Sequence, residues 1–134
     1  MASHGNKENL EKLIKDYLNS AKERIGSAKQ LLKIGNFRDS VSRSYYAFLD
    51  AADALLLTKD IRPKSHAGSI NQFSLHFIKT GEIDKKYIRW FRRLERARAD
   101  ADYEREKMFL KEDAQEALNE ATEFIKMAEN LLKI

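Results

Sequence analysis

Apolar residues recur every three or four positions through almost the whole chain, which is the period of amphipathic helices. Gly35, Pro63 and Gly81 interrupt this period and mark connections between helices. The pattern predicts five helices: about 8–34, about 38–58, a short one capped by Ser65, one capped by Asp84, and about 112–133. Because short connections favour antiparallel neighbours, we predict an all-α fold, an antiparallel bundle of about five helices.

The composition fits one small domain. With 134 residues, 43% of them hydrophobic, the chain is long enough for a single core. We predict a disordered N-terminus over 1–7 and one domain over 8–134. The absence of cysteine excludes disulfides and thiolate chemistry and fits a reducing cytoplasm. No apolar run approaches the roughly 18 residues of a membrane span, and three scattered histidines predict neither a metal site nor a cofactor.

Arg98 lies on the apolar side of the predicted fourth helix. At about 100° per residue, four other arginines lie opposite: Arg89, Arg92, Arg93 and Arg96. Asp102 follows Arg98 at the i+4 spacing at which a carboxylate meets a guanidinium. Because an unpaired buried charge is costly, two interpretations are open. Arg98 either forms an ion pair that fixes the helix register, or lines a cleft where its planar guanidinium binds phosphate or nucleotide.

The second helix carries a polar ridge, formed by Arg43, Tyr46, Asp50 and Asp53 at helical spacing. We expect this ridge to lie opposite the apolar stripe of its helix, with Tyr45 in the core and Tyr46 turned about 100° toward the ridge. Charge is also distributed unevenly along the chain. Residues 85–98 hold seven basic side chains against one acid, and residues 111–134 hold three lysines against six acids. The basic stripe is either an ordinary solvated face or a surface for phosphate contacts.

Short motifs follow one another in a fixed order over about residues 10–133. They are Arg43-Ser44-Tyr45-Tyr46-Ala47-Phe48, Ala51-Ala52 with Ala54-Leu55-Leu56, Lys64-Ser65-His66 with Gly68, Lys79-Thr80-Gly81, and Arg98 with Ala101-Asp102-Tyr103. As an ordered set they resemble the HEPN domain, and within it the small stand-alone prokaryotic branch. The resemblance implies an antiparallel helical bundle that forms a homodimer and is encoded beside a minimal nucleotidyltransferase in prokaryotic toxin–antitoxin pairs.

Catalytic members of the superfamily are metal-independent endoribonucleases that use an arginine separated from a histidine by four to six residues. This chain departs from that pattern, because the residue separated from Arg98 by four residues is Tyr103 and no histidine follows His76. Tyrosine, with a pKa near 10, is a poor general base at neutral pH. His66 is expected to face inward at the start of the third helix, where the helix dipole favours neutral imidazole. It is either a spatial replacement for the missing histidine or a hydrogen-bonded core residue.

Three functions are consistent with these residues. The first, which needs no missing residue, is a binding module that docks a nucleotidyltransferase or binds RNA or nucleotide. Its ligand-binding residues would be Arg43, Tyr46, Asp50, His66, Arg98, Asp102 and Tyr103. The second is a divergent metal-independent endoribonuclease with Arg98, Tyr103 and His66 as catalytic residues. The third is a helical scaffold without a ligand. Asp50 stands where relatives in this branch often carry a histidine, and we expect it and Asp102 to be ion-pair partners rather than metal ligands.

Overall fold

The computed structural model describes residues 4–133, in which every regular element is helical. The helices are α1 (His4–Lys33), α2 (Phe37–Leu57), α3 (His66–Phe73), α4 (Lys86–Tyr103) and α5 (Lys111–Leu132), and a π-helical turn (Ser74–Ile78) extends α3. The all-α prediction is confirmed. α1 begins earlier than the predicted start near residue 8, and residues 1–3 of the segment expected to be disordered lie outside the described residues. Within 4–133, no helix combines the length and apolar character that a membrane span requires.

Helix α2 lies at the centre of the bundle and is buried on nearly all sides. α1 runs antiparallel to it. Ser40 Oγ donates to the Ala28 carbonyl at 2.8 Å near the connection, and Asp50, further along α2, accepts from Ser20 Oγ, which lies further back along α1. The side chains of Ala47 and Ala51 are short and fully buried, so the α2 backbone is not held away from its neighbours. The single apolar stripe predicted for α2 was therefore too narrow, because small residues bury further faces of this helix.

An aromatic cluster joins α2 to three other elements. The rings of Phe48 and Phe124 stack with centroids 3.8 Å apart, and Phe91 of α4 lies 4.9 Å from Phe48. Phe73 of α3 meets Phe124 edge-on at 5.5 Å. Buried aromatic rings contribute large apolar areas as well as specific ring geometry. This cluster therefore fixes how α3, α4 and α5 are placed around α2.

Local signals set the helix boundaries. Ser65 Oγ accepts the Gly68 N–H at 2.9 Å, and a carboxylate oxygen of Asp84 accepts the Lys86 N–H at 2.8 Å. The predicted Ser65 cap is confirmed, whereas Lys85 occupies the N-cap position of α4, so that Asp84 lies one residue before the predicted cap position. Gly35 follows α1 with a φ of +84°, a left-handed conformation that favours glycine. These signals are short-range, which is why the sequence alone could locate them.

Arg38, near the start of α2, holds the end of α4. Its guanidinium donates hydrogen bonds of 2.5–3.4 Å to five backbone carbonyls: those of Asp100, Ala101, Glu104, Arg105 and Lys107. The guanidinium carbon also lies 5.0 Å from the centroid of the Phe109 ring. The last carbonyls of a helix have no partner within the helix. Arg38 therefore satisfies the C-terminus of α4 and fixes the loop that leads to α5.

Candidate functional site

Arg98 lies where α4 packs on α2, and it is paired. The residue is 9% exposed, and its guanidinium donates to Glu95 at 2.5 Å and to Asp102 at 3.2 Å. Its central carbon lies 5.3 Å from the centroid of the Tyr45 ring. The predicted pair with Asp102 is confirmed. The sequence analysis missed Glu95, although its spacing of three residues before Arg98 was a signal for it.

The electrostatics keep Arg98 charged and Tyr45 neutral. Burial alone would lower the pKa of Arg98, but the Asp102 and Glu95 carboxylates outweigh it and raise this pKa above its usual value. Burial, reinforced by Glu95, raises the pKa of the Tyr45 phenol well above its usual value. The Arg98 guanidinium therefore faces two carboxylates, and less of its charge is available to an incoming phosphate than a free arginine would offer.

His66 lies at the rim of this cluster. Its ring centroid is 5.7 Å from that of Tyr46 and 5.8 Å from that of Tyr45, but the residue is exposed. The expectation that His66 faces inward was wrong. The helical phase was right, since Ile70 and Phe73 on the same side are buried, but the first turn of α3 lies at the edge of the bundle. Its imidazole is therefore open to solvent with one side against the two tyrosines.

The polar ridge of α2 is partly covered by α1: Asp50 is buried, whereas Arg43 is exposed. Asp50 is 9% exposed and accepts hydrogen bonds from Ser20 Oγ at 2.7 Å and Arg24 Nε at 2.8 Å. The Arg24 guanidinium carbon also lies 5.5 Å from the Tyr46 ring centroid. This cover comes from α1, which packs on the Asp50 side of α2. Arg24 is a further residue of the cluster, and no local spacing in the sequence pointed to it.

Two of the predicted site residues form no hydrogen bond, ion pair or ring contact with this cluster among the described residues. Arg43 is exposed and forms no ion pair within residues 4–133. Tyr103 is 76% exposed at the end of α4. The structure thus brings together Tyr46, His66, Arg98 and Asp102, and it connects Asp50 to Tyr46 through Arg24.

The outer face of α4 is basic and open. Arg89, Arg92 and Arg96 are exposed, and none of them pairs with a carboxylate in the described part of the chain. Arg93, on the side toward α5, instead pairs with Glu116 at 3.3 Å and with Glu120. We define Arg89, Arg92 and Arg96 as the arginine stripe. Lys85 is a fourth cation of the predicted basic segment that is exposed and has no carboxylate partner among the described residues.

The sequence matches the family model of the HEPN domain over residues 14–131. The chain belongs to the HEPN family. "Putative toxin MJ0605" of Methanocaldococcus jannaschii is 39% identical over 113 residues, which cover 84% of each chain. A UPF0332 protein of Thermotoga maritima is 31% identical over 123 residues, 92% of this chain and 93% of its own. "Putative toxin MJ0142", also of M. jannaschii, is 32% identical over 126 residues, 94% of this chain and 83% of its own.

The cluster of this HEPN domain draws its side chains from several helices. The arginine of the Arg-x-x-Ala-Asp-Tyr segment is present as Arg98 and is buried between two carboxylates. The imidazole of this cluster belongs to His66, which begins α3, whereas Arg98 lies on α4. This HEPN domain therefore assembles arginine, tyrosine and histidine from three helices.

Asp53, the last residue of the polar ridge, has a perturbed acidity. It accepts a hydrogen bond from Ser69 Oγ at 2.8 Å. Burial raises its pKa to about 6, against the opposing effect of the Ser69 hydrogen bond; Asp50 adds to the rise, and His66 opposes it. The folded domain thus holds this proton to a higher pH than the unfolded chain, where an aspartate titrates near 3.9.

This shift predicts how stability depends on pH. Because the folded state binds the Asp53 proton more tightly, the contribution of Asp53 to stability falls as pH rises from about 4 to about 6. Asp53→Asn keeps an acceptor for Ser69 and removes the charge. Urea unfolding should show the variant more stable than wild type at neutral pH, by on the order of 1–2 kcal/mol, with the difference vanishing near pH 4. Asp16→Asn, at an exposed position, is the control. A variant that is less stable at every pH would contradict this account.

Proposed function

We propose that this HEPN domain is an RNA-binding module that acts as the toxin component of a toxin–antitoxin pair. The arginine stripe on α4 is the observation that carries the proposal. Its three guanidinium groups are exposed and have no carboxylate partner within residues 4–133. Cations that are free of partners are the groups that neutralise backbone phosphates. The names of the M. jannaschii relatives, both printed as toxins, support the toxin assignment.

The geometry of the arginine stripe suits single-stranded RNA. Arg89 and Arg96 are seven residues apart, so at 1.5 Å per residue the stripe spans about 10 Å. Tyr103, seven residues beyond Arg96, falls on the same side of the helix at about 100° per residue and is exposed. Aromatic rings beside a cationic track are a common arrangement in single-strand binding, where bases stack on the rings. Tyr103 thus fits the ligand-binding role predicted from the sequence.

The residues around Tyr46 support a second contact with the same RNA strand. His66 is exposed against the Tyr46 ring, and Arg43 is an exposed cation one turn before Tyr46 on α2. A flipped base could stack on these rings while Arg43 binds a phosphate. Arg98 and Asp102 would then position Tyr45 and its neighbours instead of binding the ligand directly.

RNA binding tests the proposal. A triple variant, Arg89→Gln, Arg92→Gln and Arg96→Gln, is expected to bind a fluorescein-labelled single-stranded RNA at least about tenfold more weakly. Fluorescence anisotropy between about 50 and 200 mM salt measures this loss. Three phosphate contacts on a single strand contribute roughly 2 to the slope of log K against log salt, so the slope should fall by about that amount.

A second triple variant controls for net charge. Lys15→Gln, Lys29→Gln and Lys33→Gln remove the same charge from exposed positions of α1. This variant should keep most of the affinity and the slope. Equal losses in the two triple variants would show a diffuse charge effect and contradict a defined site on α4. A wild-type protein that binds no RNA would favour a scaffold without a nucleic-acid ligand.

A divergent endoribonuclease is the second candidate, and the exposure of His66 favours it. Histidine is the side chain that most often acts as a general base, and here the His66 imidazole lies next to the Tyr45 ring that Arg98 contacts. In this candidate Arg98 stabilises charge on the phosphate and His66 or Tyr103 moves the proton. RNA cleavage in excess EDTA separates the candidates. Cleavage by wild type that a folded His66→Asn variant lacks would support the nuclease, and intact RNA bound by wild type would support the binding module.

The proposed toxin role also implies protein partners. We infer that the domain forms a homodimer and is controlled by a minimal nucleotidyltransferase, as its resemblance to the small HEPN branch implied. Met108 and Leu110 leave apolar side chains exposed on the loop that Arg38 holds. Exposed apolar groups of this kind are typical of protein contact surfaces. Sedimentation equilibrium of the purified chain, alone and with the nucleotidyltransferase, measures both assemblies.

A further inference from the structure

A groove of about 290 Å³ lies between α1 and α5, and none of the site residues predicted from the sequence lines it. On both helices the lining residues fall at positions i, i+3, i+4 and i+7, from Lys22 to Lys29 on α1 and from Thr122 to Glu129 on α5. Each set is one face of a helix over two turns. Two neighbouring helices that present such faces form the kind of groove that an amphipathic helix occupies. We call this feature the α1–α5 groove.

Gly26 lines the groove in the middle of α1, and the fold itself does not account for a glycine there. Glycine in the interior of a helix is less favourable than alanine. Gly26 is exposed, its backbone is helical, and a Cβ placed on it would meet no atom within 4 Å. A missing side chain lets another backbone approach closely. Contact with a second molecule at this point therefore accounts for the glycine.

The charges in the groove indicate the chemistry of that molecule. Three lysines and one carboxylate line it: Lys22, Lys29, Lys126 and Glu129. Lys22 pairs with Glu129, whereas Lys29 and Lys126 are exposed and have no carboxylate partner within residues 4–133. The uncompensated charge is positive, which is complementary to an acidic partner. A second copy of this face would place lysines against lysines, so the groove disfavours self-association.

We propose that the α1–α5 groove binds an acidic amphipathic helix of a partner protein. The apolar side of that helix packs on Ile25 and Ile125 beside Gly26, and its carboxylates pair with Lys29 and Lys126. RNA is the less suitable occupant, because among the described residues no aromatic side chain lines the groove for a base to stack on. The groove shares no residue with the arginine stripe or the His66 cluster. This interaction therefore does not rest on the proposed RNA binding.

A synthetic peptide tests the groove. The probe is a fluorescein-labelled peptide of about three heptads, with leucine at positions a and d and glutamate at positions e and g. A control peptide carries lysine in place of each glutamate. Fluorescence anisotropy is expected to show saturable binding of the acidic peptide to wild type, and binding of the basic peptide at least about tenfold weaker. Absence of saturable binding of the acidic peptide, or equal affinity for the two peptides, overturns the proposal.

Two pairs of variants locate the binding site. Gly26→Leu fills the groove and should weaken peptide binding at least about tenfold, whereas Ser27→Leu, at the next exposed position of α1, should not.

Lys29→Glu combined with Lys126→Glu should produce a similar loss, because it sets carboxylates against the acidic peptide. Arg89→Glu combined with Arg92→Glu makes the same change in net charge on α4 and should keep the affinity of wild type. Equal losses within either pair would contradict a defined site between α1 and α5.

The glycine also gives a test that needs no ligand. Gly26→Ala should raise the urea midpoint of the domain, because alanine is the better helix former and its methyl group meets no atom. A lower midpoint would show that the fold requires the glycine, and the inference would be wrong. Weaker RNA binding by Gly26→Leu would identify RNA as the occupant. Self-association of wild type that Gly26→Leu abolishes would identify a second copy, and either result would overturn the proposal.

Discussion

Replacing Arg98 with alanine is expected to lower the free energy of unfolding by about 2–3 kcal/mol. The guanidinium is buried between Glu95 and Asp102 and lies over the Tyr45 ring. Its removal leaves two carboxylates close together with no cation between them. Removing one partner of a fully buried pair costs roughly 3–5 kcal/mol, and the partial exposure of these two acids reduces that figure. Urea unfolding at neutral pH measures the change.

Two further variants separate the causes of this loss. Arg96→Ala removes the same charge from an exposed position on the same helix and should change stability by less than about 0.5 kcal/mol. The double variant Arg98→Met with Glu95→Gln removes the cation together with one of its anions, and it should recover part of the loss. If Arg98→Ala kept full stability but bound RNA much more weakly, Arg98 would be a ligand-binding residue and the structural interpretation would be wrong.

Replacing Arg38 with alanine is expected to cost a similar amount, about 2–3 kcal/mol. One side chain supplies hydrogen bonds to five carbonyls at the end of α4, and the packing against Phe109 is lost with it. Water can replace some of these donors, because the outer carbonyls are exposed, so the five bonds do not add up. The loss should be localised. Hydrogen exchange is expected to accelerate over residues 101–107, with the centre of α2 unchanged at low denaturant.

The Arg38→Lys variant tests whether the planar guanidinium is required or whether a positive charge is sufficient. An ammonium is a compact group that cannot reach both sets of carbonyls as a planar guanidinium does. The lysine variant should therefore recover less than half of the lost stability. Arg43→Ala, an exposed arginine on the same helix, is the control and should change stability little. Equal stability of the Arg38→Lys variant and wild type would show that charge near the helix C-terminus is sufficient.

In this protein, the features that could be predicted from the sequence are those formed by residues close together in the chain. The helix ends and the Arg98–Asp102 pair were predictable, because caps and i+4 spacings involve residues within one turn. Arg24 and Arg38 were not predictable, because their partners lie 26 and more than 60 positions away. His66 shows an intermediate case. Helical phase gave the correct side of α3, but phase carries no information on how far along the bundle a helix begins.

Asp50 forms the ion pair that was expected of it, with Arg24, but its burial was not predictable from the sequence. A polar residue on a helix predicts exposure only when a single face of that helix is buried, and α2 is covered on nearly every side. The acid is accommodated there because Arg24 and Ser20 supply donors from α1. Its neighbour Tyr46 is in turn contacted by Arg24. The arrangement of the candidate site therefore depends on a helix that contributes none of the residues predicted for it.

The central position of α2 also has a consequence for how the chain folds. Only residues 34–36 separate α1 from α2, and the two helices pack along their length in antiparallel fashion. Contacts between segments that are close in sequence form quickly, because little loop entropy is lost. The α1–α2 hairpin can therefore form while the rest of the chain is still being synthesised. It would then present the surface of α2 as a template on which α4 and α5 are added in turn.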